Sequence, residues 1–172
     1  MDDAEYRFVM AHLALHAALQ HAQRRKWRDA FVWNAACDYC VNSWLSRMTL
    51  LQKMAKAPGD GLLLLPQFQD KRPEEIYDEL MRNEKSARKL VTFAGEAAPD
   101  IIGMGGEPGE GPRVDRLLLD ALLRGYQIHT ESGKGTLPYT LIDEMRALEH
   151  PPLPWDVQAS VRIEAGPLPF DR

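Results

Sequence analysis

Apolar residues recur at helical spacing along most of this chain. From Asp3 to about Arg24, Phe8, Leu15 and Leu19 stand among many alanines with no Pro or Gly between, which predicts one helix. Arg24, Arg25 and Lys26 then suit its C-terminal end, as solvated cations facing the negative end of the helix dipole. A second helix is predicted from Asp29, as cap, to about Lys56. Trp33, Cys37, Cys40, Trp44 and Met48 step by four and three and form its apolar face, while Asn34, Asp38 and Asn42 form a polar stripe. Pro58-Gly59-Asp60-Gly61 ends it, and residues 62–68 read as a loop or short extended piece. Pro73-Glu74-Glu75 signals a third helix, which the pattern lets run as far as Phe93. Residues 95–112 are rich in Gly and Pro and read as a long flexible loop. Helical pattern returns over residues 114–128 and 140–148, and a last short helix is expected near Trp155, with residues 165–172 as a tail. No two-residue alternation occurs. The expected class is mainly α, with few or no strands, in a single domain spanning 1–172.

Composition narrows the picture. The chain is 45% hydrophobic and 27% charged, enough apolar surface to offset the entropy of ordering a core. A net charge of −4 provides no general field for nucleic acid, and the basic run from Arg24 to Arg28 beside Trp27 reads as a helix end. Two cysteines do not make a disulfide framework. The acidic N-terminus lacks signal-peptide layout, and the run from Leu62 to Leu65 is too short to span a bilayer, so a cytoplasmic location without membrane contact is expected.

Candidate chemistry gathers in the first helix. His12 and His16 are four residues apart and project within about 40° of each other, so both can chelate one metal from one helical face. His21 lies nine residues after His12, about 180° round an unbroken helix, and is expected to point away. Asp38, facing the two histidines from the second helix, would complete a His2Asp set with an open fourth position. Cys37 and Cys40 form a C-x-x-C that also completes a Cys2His2 set by number. Both lie on the Trp-rich face, however, where free Cys packs as a small hydrophobe. Gly133-Lys134-Gly135-Thr136 lacks the upstream glycine of a phosphate-binding loop, and His129 and His150 read as isolated surface residues.

These segments resemble a bacterial family of zincin-like metallopeptidase domains, usually found N-terminal to a von Willebrand A-like domain. His12-Leu-Ala-Leu-His16-Ala-Ala-Leu-Gln-His21 is similar to the family's H-E-x-L-H-x-x-L-x-H, and Trp33-Asn34-Ala-Ala-Cys-Asp38-Tyr-Cys-Val-Asn42 to its W-N-x-A-x-D-x-x-I-N. Pro73-Glu74-Glu75-Ile76-Tyr77, Gly135-Thr-Leu-Pro138 and Pro152-Leu-Pro-Trp155 follow in the family's order. The resemblance implies a zincin-like helical body with zinc held by His12 and His16, and Asp38 as third ligand. It also exposes a departure: Leu13 stands where the family has the glutamate that deprotonates metal-bound water. With the strands that precede the metal helix and the domain that follows both missing, a degenerate or shortened member is expected. Such a member would retain zinc and serve a structural role or bind a protein partner. An active hydrolase using Glu74 or Glu75 as base, and a metal-free helical interaction domain, are the alternatives.

Overall fold

The computed structural model describes residues 2–57, 62–83, 111–133 and 135–149, without the side chains of 49, 50, 53 and 111–115. The described residues form helices and irregular connections, with no strand among them. The helices are α1 (Asp3–Ala18), α2 (His21–Arg24), α3 (Ala30–Arg47), α4 (Thr49–Met54), α5 (Pro73–Arg82), α6 (Gly111–Ser132) and α7 (Tyr139–Glu149). A 3-10 turn, Pro66–Phe68, precedes α5. The mainly helical expectation therefore holds.

Local chemistry sets several of the boundaries. Asp2 caps α1 by accepting from the backbone N–H groups of Ala4 and Glu5, and the Glu5 carboxylate accepts in return from the N–H of Asp2. Asp29 caps α3 by accepting from Phe31 and Val32 at 3.0 and 2.9 Å, as its sequence position suggested. Pro73 opens α5, and the Glu75 carboxylate accepts from the N–H of Arg72 at 2.8 Å.

Two predicted helices are each broken in two. The first stops at Ala18 because Gln20 takes a left-handed conformation (φ 55°, ψ 38°), and the chain restarts as α2. The second stops at Arg47, where Met48 turns extended (φ −72°, ψ 105°) before α4. Helix α6 begins at Gly111, so the last two residues of the predicted 95–112 loop belong to a helix. The rest of that loop, the extension of the third helix towards Phe93, the break at residues 58–61, the helix near Trp155 and the tail lie outside the described residues.

The centre of the fold is α3, whose residues from Val32 to Leu45 are all buried. It packs against α1, α4 and α5, while α1 also packs on α6. Trp33, Cys37, Cys40 and Trp44 of the predicted stripe are inside as expected, each at most 1% exposed, and Met48 is partly buried against them. The polar stripe is inside too, which an amphipathic reading of the helix does not suggest. Two indoles tie this core together. Trp33 Nε1–H donates to the carbonyl of His21 at 2.7 Å, and Trp44 Nε1–H donates to Thr140 Oγ1 at 2.8 Å, which joins α7 to α3. Tyr77 of α5 accepts from the N–H of Asp29 at 3.0 Å, so α5 is pinned to the start of α3. Trp27 is the opposite case and stands 79% exposed.

An apolar cavity of about 540 Å³ lies between α1, α3, α6 and α7, lined by Leu15, Leu118, Leu122 and Leu141 among others. None of the His12, His16 and Asp38 side chains lines it. Among the described residues no helix is long and apolar enough to cross a membrane.

Candidate metal centre

The i, i+4 spacing of α1 puts His12 and His16 side by side, with ring centroids 4.4 Å apart. Asp38, near the middle of α3, faces both. Its Oδ1 lies 3.5 Å from His12 Nε2 and 3.2 Å from His16 Nε2. One ligand atom from each of the three residues falls within 4.8 Å of the others, and all three residues are buried. A tetrahedral ion with donors at about 2.0–2.2 Å spaces them about 3.3–3.6 Å apart. The separations from Asp38 match that spacing to within about 0.1 Å. His16 Nε2 and Asp38 Oδ1 are moreover buried without a hydrogen bond of good geometry, a costly state for polar atoms that an ion would relieve. Two imidazole nitrogens and one carboxylate oxygen suit a divalent ion of the zinc type.

Two of the three have a supporting partner on α3. Asn42, one turn after Asp38, donates through Nδ2 to the carbonyl of Leu63 at 3.1 Å, which turns its Oδ1 towards His12 Nδ1 at 2.9 Å. An amide oxygen only accepts, so His12 carries its proton on Nδ1 and offers the Nε2 lone pair to the site. Asn34, one turn before Asp38, donates to Asp38 Oδ2 at 2.8 Å and leaves Oδ1 as the inward oxygen. The polar stripe of α3 is thus one carboxylate with an amide on either side. Burial by itself raises the Asp38 carboxyl above its usual range, but the close approach of His12 and His16 outweighs it and holds the group below.

His21 stays outside the three-residue group, as expected, but its direction is not the one the helical wheel gives. It does not point away, because the left-handed Gln20 swings it back until its Nδ1 lies 3.3 Å from His16 Nδ1. It is fully buried, stacked edge-on against both His16 and Trp33. Burial above all, with His16, Arg24 and His12 nearby, pushes its imidazole well below the usual histidine range. A helical wheel cannot find this residue, since the wheel assumes no break and neither Gly nor Pro marks one.

Other expectations are resolved by the same geometry. Cys37 and Cys40 are buried free thiols, pushed up by that burial, and Cys40 Sγ faces the carbonyl of Lys71 at 3.2 Å. They are not part of the His12–His16–Asp38 group. Arg24 is not a solvated helix end. Its guanidinium bonds both Glu74 oxygens at 2.8–2.9 Å and reaches Glu144 Oε2 at 2.6 Å. Glu74 is therefore committed to Arg24, Glu75 to the start of α5, and Glu5 to the α1 cap. Leu13 is 41% exposed, at the surface beside the buried pair. His129 is half-buried at the rim of the apolar cavity, and His150 lies outside the described residues.

A helical domain holding a buried His-His-Asp group, two of its members at i, i+4 on one helix, has the build of a metallopeptidase-like protein. The comparison with family profiles agrees: the profile described as Putative metallopeptidase domain matches residues 2–166, and the chain belongs to that family. No curated protein and no solved structure matches it.

Proposed function

We propose that this domain binds zinc through His12 Nε2, His16 Nε2 and Asp38 Oδ1 and has lost most or all of the family's peptidase chemistry. The observation that carries the reading is the convergence of those three atoms at tetrahedral spacing, beside a position occupied by an exposed leucine. When bound, the ion supplies a Lewis acid and an acidified water. The chain supplies no proton acceptor at residue 13, and the carboxylates of Glu5, Glu74 and Glu75 are engaged elsewhere. A general base contributes about 10²–10⁴-fold, so a site that lacks one among the described residues should turn over little. What remains is a rigid, ion-braced face suited to binding a polypeptide. Tyr6, Met10 and Leu13 stand 53%, 47% and 41% exposed at i, i+4, i+7 on α1, an apolar strip running past the site that a protein partner would cover.

Metal analysis of the purified chain tests this. One zinc per chain is expected, lost in His12→Ala and retained in Cys37→Ser. Zinc absent after reconstitution, or retained in His12→Ala, sinks the metal reading. Leu13→Glu should raise hydrolysis of a casein substrate above the wild-type rate. A wild type that already cleaves as fast as Leu13→Glu contradicts the loss of chemistry.

A further inference from the structure

The geometry points to His21 as a positioning residue for the metal centre, accepting the Nδ1 proton of His16 so that His16 Nε2 is held towards the ion. This rests on the zinc reading above and deepens it.

The backbone argument comes first. In an unbroken helix His21 would sit about 140° round the axis from His16 and about 7.5 Å further along it. Instead α1 ends at Ala18, Leu19 closes the last turn through its N–H to the carbonyl of Leu15, and Gln20 adopts the left-handed conformation. That conformation is strained for a non-glycine residue. Its local result is the approach of two ring nitrogens to 3.3 Å, in an edge-on arrangement at 89°.

Several contacts then hold His21 in place. Trp33 Nε1–H grips its carbonyl at 2.7 Å, and Arg24 Nη1 reaches the carbonyl of Leu19 at 3.3 Å. The His21 ring is 0% exposed, and its Nε2 has no hydrogen-bond partner. A buried imidazole with one nitrogen on a neighbouring imidazole and the other unpartnered is an expensive way to fill space. A purely apolar ring would do that better.

Proton arithmetic supplies the role. A neutral imidazole carries one N–H, so a His16 that ligates through Nε2 carries its proton on Nδ1. The atom facing that proton is His21 Nδ1. His21 must then accept there and carry its own proton on Nε2. With this pairing all three donors have a dedicated partner: Asn42 behind His12, Asn34 behind Asp38, and His21 behind His16. Such outer partners fix the ring orientation and typically contribute 10–100-fold in metal affinity.

The test compares wild type with His21→Phe and His21→Asn in full-length protein. Zinc affinity is measured by competition with a chelating dye, and histidine tautomers by ¹⁵N NMR of the zinc-loaded protein. His21→Phe keeps a ring and loses the acceptor, so affinity should fall 10–100-fold. His21→Asn places an amide oxygen near the former Nδ1 and should recover most of that loss, although it fills the space less well. In wild type the spectra should show His16 protonated on Nδ1 and His21 on Nε2. Equal affinity in wild type and His21→Phe, a His21 protonated on Nδ1, or an Asn variant as weak as the Phe variant overturns the inference. If His21→Phe does not fold, the Asn variant and the wild-type spectra decide it. Failure of the parent reading looks different: wild type itself then shows no zinc affinity that His12→Ala removes, which overturns both.

Discussion

Replacing Arg24 by Met tests whether this buried cation is a main tie of the fold. Arg24 sits at the end of α2 and joins it to α5 through Glu74 and to α7 through Glu144. The Glu144 side chain is 3% exposed, and among the described residues the cation left beside it in the variant is Arg72, Nε at 3.5 Å, on a side chain 49% exposed. Breaking a buried ion pair from one side costs about 3–5 kcal/mol, because the surviving charge stays desolvated. The Glu74 side chain is 33% exposed and contributes little of that. A loss of about 3 kcal/mol is therefore expected, read by urea denaturation followed by circular dichroism at pH 7. The pH dependence gives a second handle. Burial, with Glu74 adding and Arg24 opposing, already raises the Glu144 carboxyl, and removing Arg24 raises it further. A carboxyl raised in the folded state binds more protons there than in the unfolded chain, so its penalty grows as pH rises and fades towards the unfolded value of about 4.3. The deficit of the variant relative to wild type should thus shrink between pH 7 and pH 5. Adding Glu144→Leu should restore much of the lost stability at pH 7. A deficit below about 1 kcal/mol that does not change with pH would refute the reasoning, since it would mean Glu144 is not held by Arg24.

Three further outcomes follow from the described contacts. Asn42→Leu removes the acceptor behind His12 Nδ1, and zinc affinity should fall about 10-fold or more in a dye competition; an unchanged affinity would detach Asn42 from the site. Cys37 and Cys40 are buried with their thiols pushed up, so a thiol reagent should label neither in the native protein and both in denaturant. Gly125 lies within α6 and a Cβ there meets nothing within 4 Å, so Gly125→Ala should stabilise the chain by about 0.5–1 kcal/mol in thermal or urea melts.

The histidine pair was legible because i, i+4 spacing survives any helix of ordinary geometry, and the Asp29 cap and Pro73 start were legible because they are local. Asp38 was reachable through its place in the W-N-x-A-x-D pattern, and the fold brings it to His12 and His16. His21 and Arg24 were misread for two distinct reasons. His21 depends on a left-handed residue that no Gly announces, so periodicity carried the wheel past the break. Arg24 depends on carboxylates 50 and 120 positions away, and a local dipole argument had no access to them. The polar stripe of α3 was visible as a stripe, but its burial was not. Asn34, Asp38 and Asn42 are tolerated inside because donors and acceptors from α1, α3 itself and residue 63 meet them there.

Trp33 gives the domain an internal optical reporter. Its indole N–H is bonded to the carbonyl of His21, and its ring lies edge-on to the His21 imidazole at 6.5 Å between centroids. Indole emission responds to neighbouring polarity and to the protonation of nearby imidazoles, so an ion entering beside His16 would register in the fluorescence of Trp33 through His21. The 79% exposed Trp27 would mask that signal with bright, solvent-relaxed emission. Trp27→Phe would remove this background at a position where the side chain is mostly in water, and Trp44→Phe and Trp155→Phe beside it would leave Trp33 alone to report when the site is filled.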